Sequence, residues 1–213
     1  MRAQSEVVGA PEIDKIRAFF NHPGFIDATE DRLRDAFAEL PGDARQNVQI
    51  VYVAHSIPIS MASTCDYVAQ LSEVRKLVSE RLGVANDALV YQSRSGALGQ
   101  PWLEPDILDY LRDVKTRSLA SAVVIAPISF ISDHMEVLYD LDIEARQLCG
   151  SLGLPMARAK TVGVHPKFIG MIRELALERT AGADRRALGS LGARADVCAE
   201  DCCPAPQRPA RRG

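Results

Sequence analysis

The sequence has no apolar run near the roughly 18 residues that a membrane-spanning helix needs, and its opening, Met1-Arg2-Ala3-Gln4-Ser5-Glu6, holds no apolar core of a secretory signal. These absences predict no membrane span and a cytoplasmic, reducing compartment. Cations are not in excess: 25 Lys and Arg stand against 28 Asp and Glu, for a net charge of −3, which argues against a nucleic-acid-binding body. No segment repeats. Cysteine is scarce, five residues in 213, and in a reducing compartment these read as thiols or metal ligands rather than disulfides. What is present, 47% hydrophobic and 25% charged residues, is the make-up of a globular chain long enough for one large domain.

Helical and strand-like runs alternate. Helices are expected at 25–40, 64–82, 106–114, 135–148 and 166–179, with Pro105 at the start of the third and Gly83 and Gly150 as stops. Apolar strands are expected at 48–54, 88–92, 121–128 and 155–161, and 13–20 is amphipathic ahead of the breaker Asn21-His22-Pro23-Gly24. Strands separated by helices of this length predict an α/β fold, a parallel sheet flanked by helices on both faces.

In such a sheet the chemistry sits at the carboxyl ends of the strands. Three ends carry polar residues: His55-Ser56, Gln92-Ser93-Arg94 and Ser132-Asp133-His134. All three should face one cleft. The last opens a helix in which Glu136, Asp140 and Glu144 recur every fourth residue, stacking on one face at roughly 6 Å per step. Like charges so placed repel. The ladder is either a solvated face behind a strong N-cap (Ser132 or Asp133, with Asp133 and Glu136 at capping-box spacing) or a path for a metal or protons. His55 is either a satisfied core residue or a neutral imidazole able to bind metal or accept a proton. Together with Glu136 it would make an open, weak site, unlike a closed structural zinc centre.

Three blocks carry a resemblance: Ala54-His55-Ser56-Ile57-Pro58; Tyr91-Gln92-Ser93-Arg94-Ser95-Gly96 with Pro101-Trp102-Leu103-Glu104-Pro105; and the run from Pro127 to Asp142. In order and spacing, 13–179 resembles the ferrochelatases, of the Gram-positive, coproporphyrin type. The resemblance implies a Rossmann-like chelatase lobe and an enzyme, a metal-chelatase lyase, that inserts ferrous iron into a porphyrin in heme synthesis. It implies iron contacts and proton removal by His55 and Glu136, with Asp133, His134, Asp140 and Glu144 as a proton or metal relay. Trp102 and Tyr91 would wall a slot for the ring or be plain core. Arg94 would pair with a propionate or form a surface salt bridge. Sirohydrochlorin and cobalt chelatases of this architecture usually present a second histidine where Glu136 stands. Other heme-pathway enzymes are the implied partners.

The tail carries Cys198-x-x-x-Cys202-Cys203, too compact for a disulfide framework and suited to three ligands of a four-cysteine [2Fe–2S] cluster. Some ferrochelatases carry such a cluster, and this tail points to coproporphyrin III over protoporphyrin IX. Cys65 is the best fourth ligand within the chain, although in the resembling bacterial enzymes that ligand precedes the position of Pro11. Cys149 reads as a small buried hydrophobe. The expected organisation is an N-terminal extension at 1–12, the C-terminal chelatase lobe at 13–162, a helix at 163–180 that returns to an N-terminal lobe absent from this sequence, and a disordered tail at 181–213. The alternative to catalysis is a fragment that binds a tetrapyrrole or iron without turnover. The apolar residues Phe168, Ile169, Ile172, Leu175 and Ala176 of the last helix should then lack a cover.

Overall fold

A computed structural model describes residues 7–11, 13–95 and 99–197. Four parallel strands, β1 (Val48–His55), β2 (Asp87–Gln92), β3 (Ala122–Pro127) and β4 (Met156–Arg158), form one sheet in the order β2-β1-β3-β4. The chelatase-like α/β reading is borne out, and strand limits fall within a few residues of those expected.

The helices are α1 (Pro23–Glu39), the short α2 (Ile59–Ala62), α3 (Tyr67–Leu82), α4 (Ile107–Thr116), α5 and α6 (Pro166–Ala181). α5 has three continuous stretches: one α-helical at Met135–Val137, a π-helical one at Leu138–Ala145, and a second α-helical one at Arg146–Leu152. An uninterrupted α-helix had been expected there. Bonding to i+5 instead of i+4 leaves no mark in the apolar pattern, which is why the wide turn is unreadable from sequence.

Alternating side chains of β1 serve two cores. Ile50, Tyr52 and Ala54 face α1, α3 and α6 through Leu33, Val74, Val78 and Met171. Val51 and Val53 face α4 and α5 through Leu111, Val114, Val137 and Leu141. α6 does not await a missing lobe along its whole stripe. Of the expected stripe, Phe168 and Leu175 are buried against α1, together with Met171, while Ile169, Ile172 and Ala176 are exposed. Contact is close at Gly24, where a Cβ would lie 2.7 Å from the Lys167 carbonyl oxygen and 2.8 Å from Met171 Cβ. His22 starts α1, its Nδ1 accepting from the Gly24 N–H at 3.1 Å.

Residues 182–197, expected to be disordered, carry no helix or strand but are fastened to the body. The Arg17 guanidinium, fully buried, pairs with Glu178 at 2.7 Å and donates to the Arg186 carbonyl at 2.7 Å. Asn21 Nδ2 donates to the carbonyls of Leu188 and Gly192. Glu73 on α3 accepts from Ser190 N–H at 2.6 Å, and Arg194 pairs with Asp66. Composition concealed this strap because polar contacts, not an apolar stripe, hold it. Cys198, Cys202 and Cys203 lie outside the described residues.

Candidate functional site

α5 crosses the carboxyl ends of β1 and β2, so its acidic face meets both strand tips. His55 Nε2 lies 3.1 Å from Glu136 Oε1, with both side chains partly exposed. His55 Nδ1 lies 2.5 Å from the Ser56 carbonyl oxygen. A carbonyl only accepts, so Nδ1 carries the proton and Nε2 faces the carboxylate. A neutral Nε2 lone pair and a carboxylate repel unless a proton or a cation sits between them. Such a pair can hold one.

One turn along α5, Asp140 Oδ2 accepts from Gln92 Nε2 at 3.0 Å and from the Ser93 hydroxyl. Gln92 is the register partner of His55 across the sheet. Asp140 and Glu144 line a polar depression of about 300 Å³ with Gln92, Ser93, Arg94 and Asp106. Two of the expected relay acids, Asp140 and Glu144, thus follow Glu136 along the strand ends.

Asp133 does not belong to that series and caps nothing: His134 is the N-cap, without a side-chain bond. Asp133 accepts from Arg158 at 2.7 Å and from the Thr161 N–H at 3.2 Å. Arg158 also pairs with Asp142 at 2.8 Å. This clasp, which ties the start of α5 to the end of β4, was missed. Asp142 lies off the every-fourth-residue ladder, and its partner is sixteen residues away. Burial pushes the Asp142 carboxyl up, but hydrogen bonds and charge from Arg158, then Arg146, outweigh this and hold it below its ordinary value.

His134 is exposed, its ring 5.1 Å from Phe130, which in turn lies 6.5 Å from the His55 ring. Tyr91 is 4% exposed and packs in the core, the second of the two places expected for it. Trp102 is half-buried and bridges antiparallel to Pro58, while Leu103 N–H donates to the Ile57 carbonyl at 3.0 Å. The 101–105 loop is thus laid beside the chain leaving His55. Arg94 is exposed and 3.4 Å from the exposed Glu104, a pair of little energetic weight. Cys149 is buried as expected, its thiol pushed up to about 11 by burial; Cys65 is free and half-buried. Among the described residues no group of three or more His, Cys, Asp or Glu side chains could hold a metal ion. Likewise, no helix among them is long and apolar enough to cross a membrane.

The family model for ferrochelatase matches residues 1–180. The chain belongs to the ferrochelatase family. It is 48% identical over 212 residues to a ferrochelatase of Rhodopirellula baltica, covering 98% of this chain and 60% of that one. It is 46% identical over 232 residues to the coproporphyrin III ferrochelatase of Streptomyces coelicolor, covering 99% and 61% respectively. The chain thus spans about 60% of the length of these curated relatives. Among solved structures, the sirohydrochlorin chelatase SirB from Bacillus subtilis subspecies spizizenii, in complex with cobalt, shares the fold. Its TM-score is 0.52 at 15% identity, over 85% of this chain and 61% of that one.

In this member of the ferrochelatase family the described residues also form an apolar groove of about 220 Å³ beside His55, lined by Phe19, Tyr67, Leu71, Ile128, Ser129 and Ile131 among others. Two of these residues touch the His55 backbone: Ser129 accepts from its N–H and Tyr67 donates to its carbonyl. Ser129 falls within the Pro127–Asp142 block, but nothing in the sequence assigned either residue a role. They come from a loop and a helix start that only the fold brings to His55.

Proposed function

We propose that this chain carries the proton-accepting and metal-presenting wall of a porphyrin metallation site, and that the protein inserts ferrous iron into coproporphyrin III in the cytoplasm as a step of heme synthesis. The observation that carries this is the 3.1 Å approach of His55 Nε2 to Glu136 Oε1 with Nδ1 already committed to the Ser56 carbonyl. Metallation exchanges two pyrrole protons for one ferrous ion. The His55–Glu136 pair takes a pyrrole proton at Nε2 or the facing carboxylate oxygen, and the same two atoms present the iron. Asp140 and Glu144, turned toward the polar depression, pass charge outward. Trp102 borders the ring slot, Arg94 reaches a propionate, and other heme-pathway enzymes deliver the ring and collect the product. The name of the Streptomyces relative supports coproporphyrin III as the ring.

Zinc insertion into coproporphyrin III, followed by absorbance, tests this. The chain is assayed alone and joined to the part of the Streptomyces relative outside the matched span. His55→Ala and Glu136→Gln should each lower the rate by about 100-fold or more. A rate near that of the parent in either variant overturns the assignment. Porphyrin binding without insertion in both formats leaves the binding-only alternative.

We also propose a [2Fe–2S] cluster on Cys198, Cys202, Cys203 and Cys65. Cys65 fits as the fourth ligand because its thiol is free and half-buried, and because Arg194, four residues ahead of Cys198, pairs with the neighbouring Asp66. Four residues span at most roughly 14 Å. When bound, the cluster would supply metal–thiolate ties between the tail and α3. Cys65→Ser should abolish visible absorption and bound sulfide; an unchanged iron-to-sulfide content removes Cys65 from the ligand set.

A further inference from the structure

The backbone of His55 is held in a way that its position in the sheet does not supply. In a parallel sheet the N–H and C=O of one residue point to the same neighbouring strand. β1 pairs with β3 only as far as Val53 opposite Pro127, and the last bond on that side runs from the Ile128 N–H to the Val53 carbonyl at 3.0 Å. On the other side the ladder continues through Gln92, whose carbonyl accepts from Ser56 N–H at 2.8 Å. His55 therefore extends one step past the end of β3, with both of its amide groups turned toward a strand that has left.

Two side chains take the strand's place. The His55 N–H donates to Ser129 Oγ at 3.1 Å. Tyr67 Oη donates to the His55 carbonyl oxygen at 2.9 Å. The result is a clamp on both amide groups of His55, the Ser129 hydroxyl on its N–H and the Tyr67 hydroxyl on its carbonyl. Without it two backbone groups would lose their partners, and the one residue whose ring must meet Glu136 would sit at a fraying strand end. Tyr67 is in turn the first residue of α3. The strap grips that helix at Asp66 through Arg194 and at Glu73 through Ser190 N–H.

We propose that Tyr67 and Ser129 are positioning residues for His55, standing in for the missing strand, and that Arg194 of the strap keeps Tyr67 in place. Neither hydroxyl is assigned a proton or metal to carry. The inference rests on the reading of His55 as the proton-accepting group, but its test needs no turnover, so the two can fail separately.

The test is histidine 15N NMR on the 213-residue chain at about pH 8, above the ordinary histidine range, with the His55 signal assigned by its loss in His55→Ala. The parent chain should show His55 as a single Nδ1–H tautomer. Tyr67→Phe and Ser129→Val each remove one hydroxyl with little change of shape, and each should convert His55 to a mixture of tautomers. The signals of His22, His134 and His165 should stay unchanged. Ser129→Thr, which keeps a hydroxyl, should restore the single form. Arg194→Ala should give a weaker version of the same mixing, recovered in Arg194→Lys. A Tyr67→Phe chain that melts at a lower temperature while its His55 remains a single Nδ1–H tautomer overturns the proposal and leaves Tyr67 a structural residue. A mixed tautomer already present in the parent overturns it as well.

Discussion

His22, buried, and Asp142, half-buried, show how single groups set the acid limit of the fold. His22 is fully buried; burial holds its pKa below the ordinary 6.5, against the opposing charge of Glu174. Its Nε2 lies 3.4 Å from Glu174 Oε2 without hydrogen-bond geometry, so the carboxylate does not rescue the imidazolium. A folded-state value below the unfolded one means that the unfolded chain takes up the proton first. The stability tied to His22 is complete above pH 6.5 and declines as pH falls below it. Asp142 is also depressed, from 3.8, as is Glu178, from 4.5, through its hydrogen bonds from Arg17, so their stabilisation is complete above those values and fades further down. Thermal melting against pH should therefore fall in two stages. His22→Asn, which keeps an acceptor for the Gly24 N–H, should remove the upper stage and leave the lower one. Arg158→Met should shrink the lower stage, leaving the part tied to Glu178, and should leave the upper one unchanged. A single transition below pH 4.5 in the parent chain would contradict the role given to His22.

At the scale of elements, the contact between α1 and α6 is the most demanding. Gly24 meets a backbone carbonyl and a Cβ, neither of which can swing aside. Gly24→Ala should push the helices apart at a cost of about 1–3 kcal/mol. Gly150, in the last stretch of α5, has nothing within 4 Å of its would-be Cβ and no positive φ. There alanine should stabilise by about 0.5–1 kcal/mol. Denaturant midpoints of the two variants should move in opposite directions; movement in the same direction would mean that the close approach does not govern Gly24. α5 makes the complementary point about legibility. Its acidic ladder was readable because four-residue spacing marks a helix face. Its π-helical middle was not, and neither was the diversion of Asp133 from cap to clasp. The capping-box spacing is present, but Arg158, arriving from another strand, competes better for the carboxylate.

For the molecule as a whole, what local pattern encodes was legible: the run of buried strands, the helices between them, and the convergence of His55, Glu136 and Asp140 on one edge. What escaped was carried by pairs remote in sequence. Arg17 and Glu178 are 161 residues apart, and Ser190 and Glu73 117 apart. A residue such as Arg17 looks like any surface arginine until its partner is known. The stripe on α6 was legible only in part for a related reason. Apolar spacing tells that a helix has a covered face but not which neighbour covers it, and α1 takes Phe168, Met171 and Leu175.

The fastening of Arg17 and Asn21 to residues 186–192 also changes what kind of object the lobe is. Side-chain bonds join its first described turns to its last, so the polypeptide runs as a loop whose clasp is polar. The stretches at 17–21 and 186–192 are therefore neighbours in the fold. Severing the chain at the α3–β2 turn around Gly83, and linking the old flanks instead, would redraw the order of the segments while leaving every layer of the sheet and the His55 ring where they are.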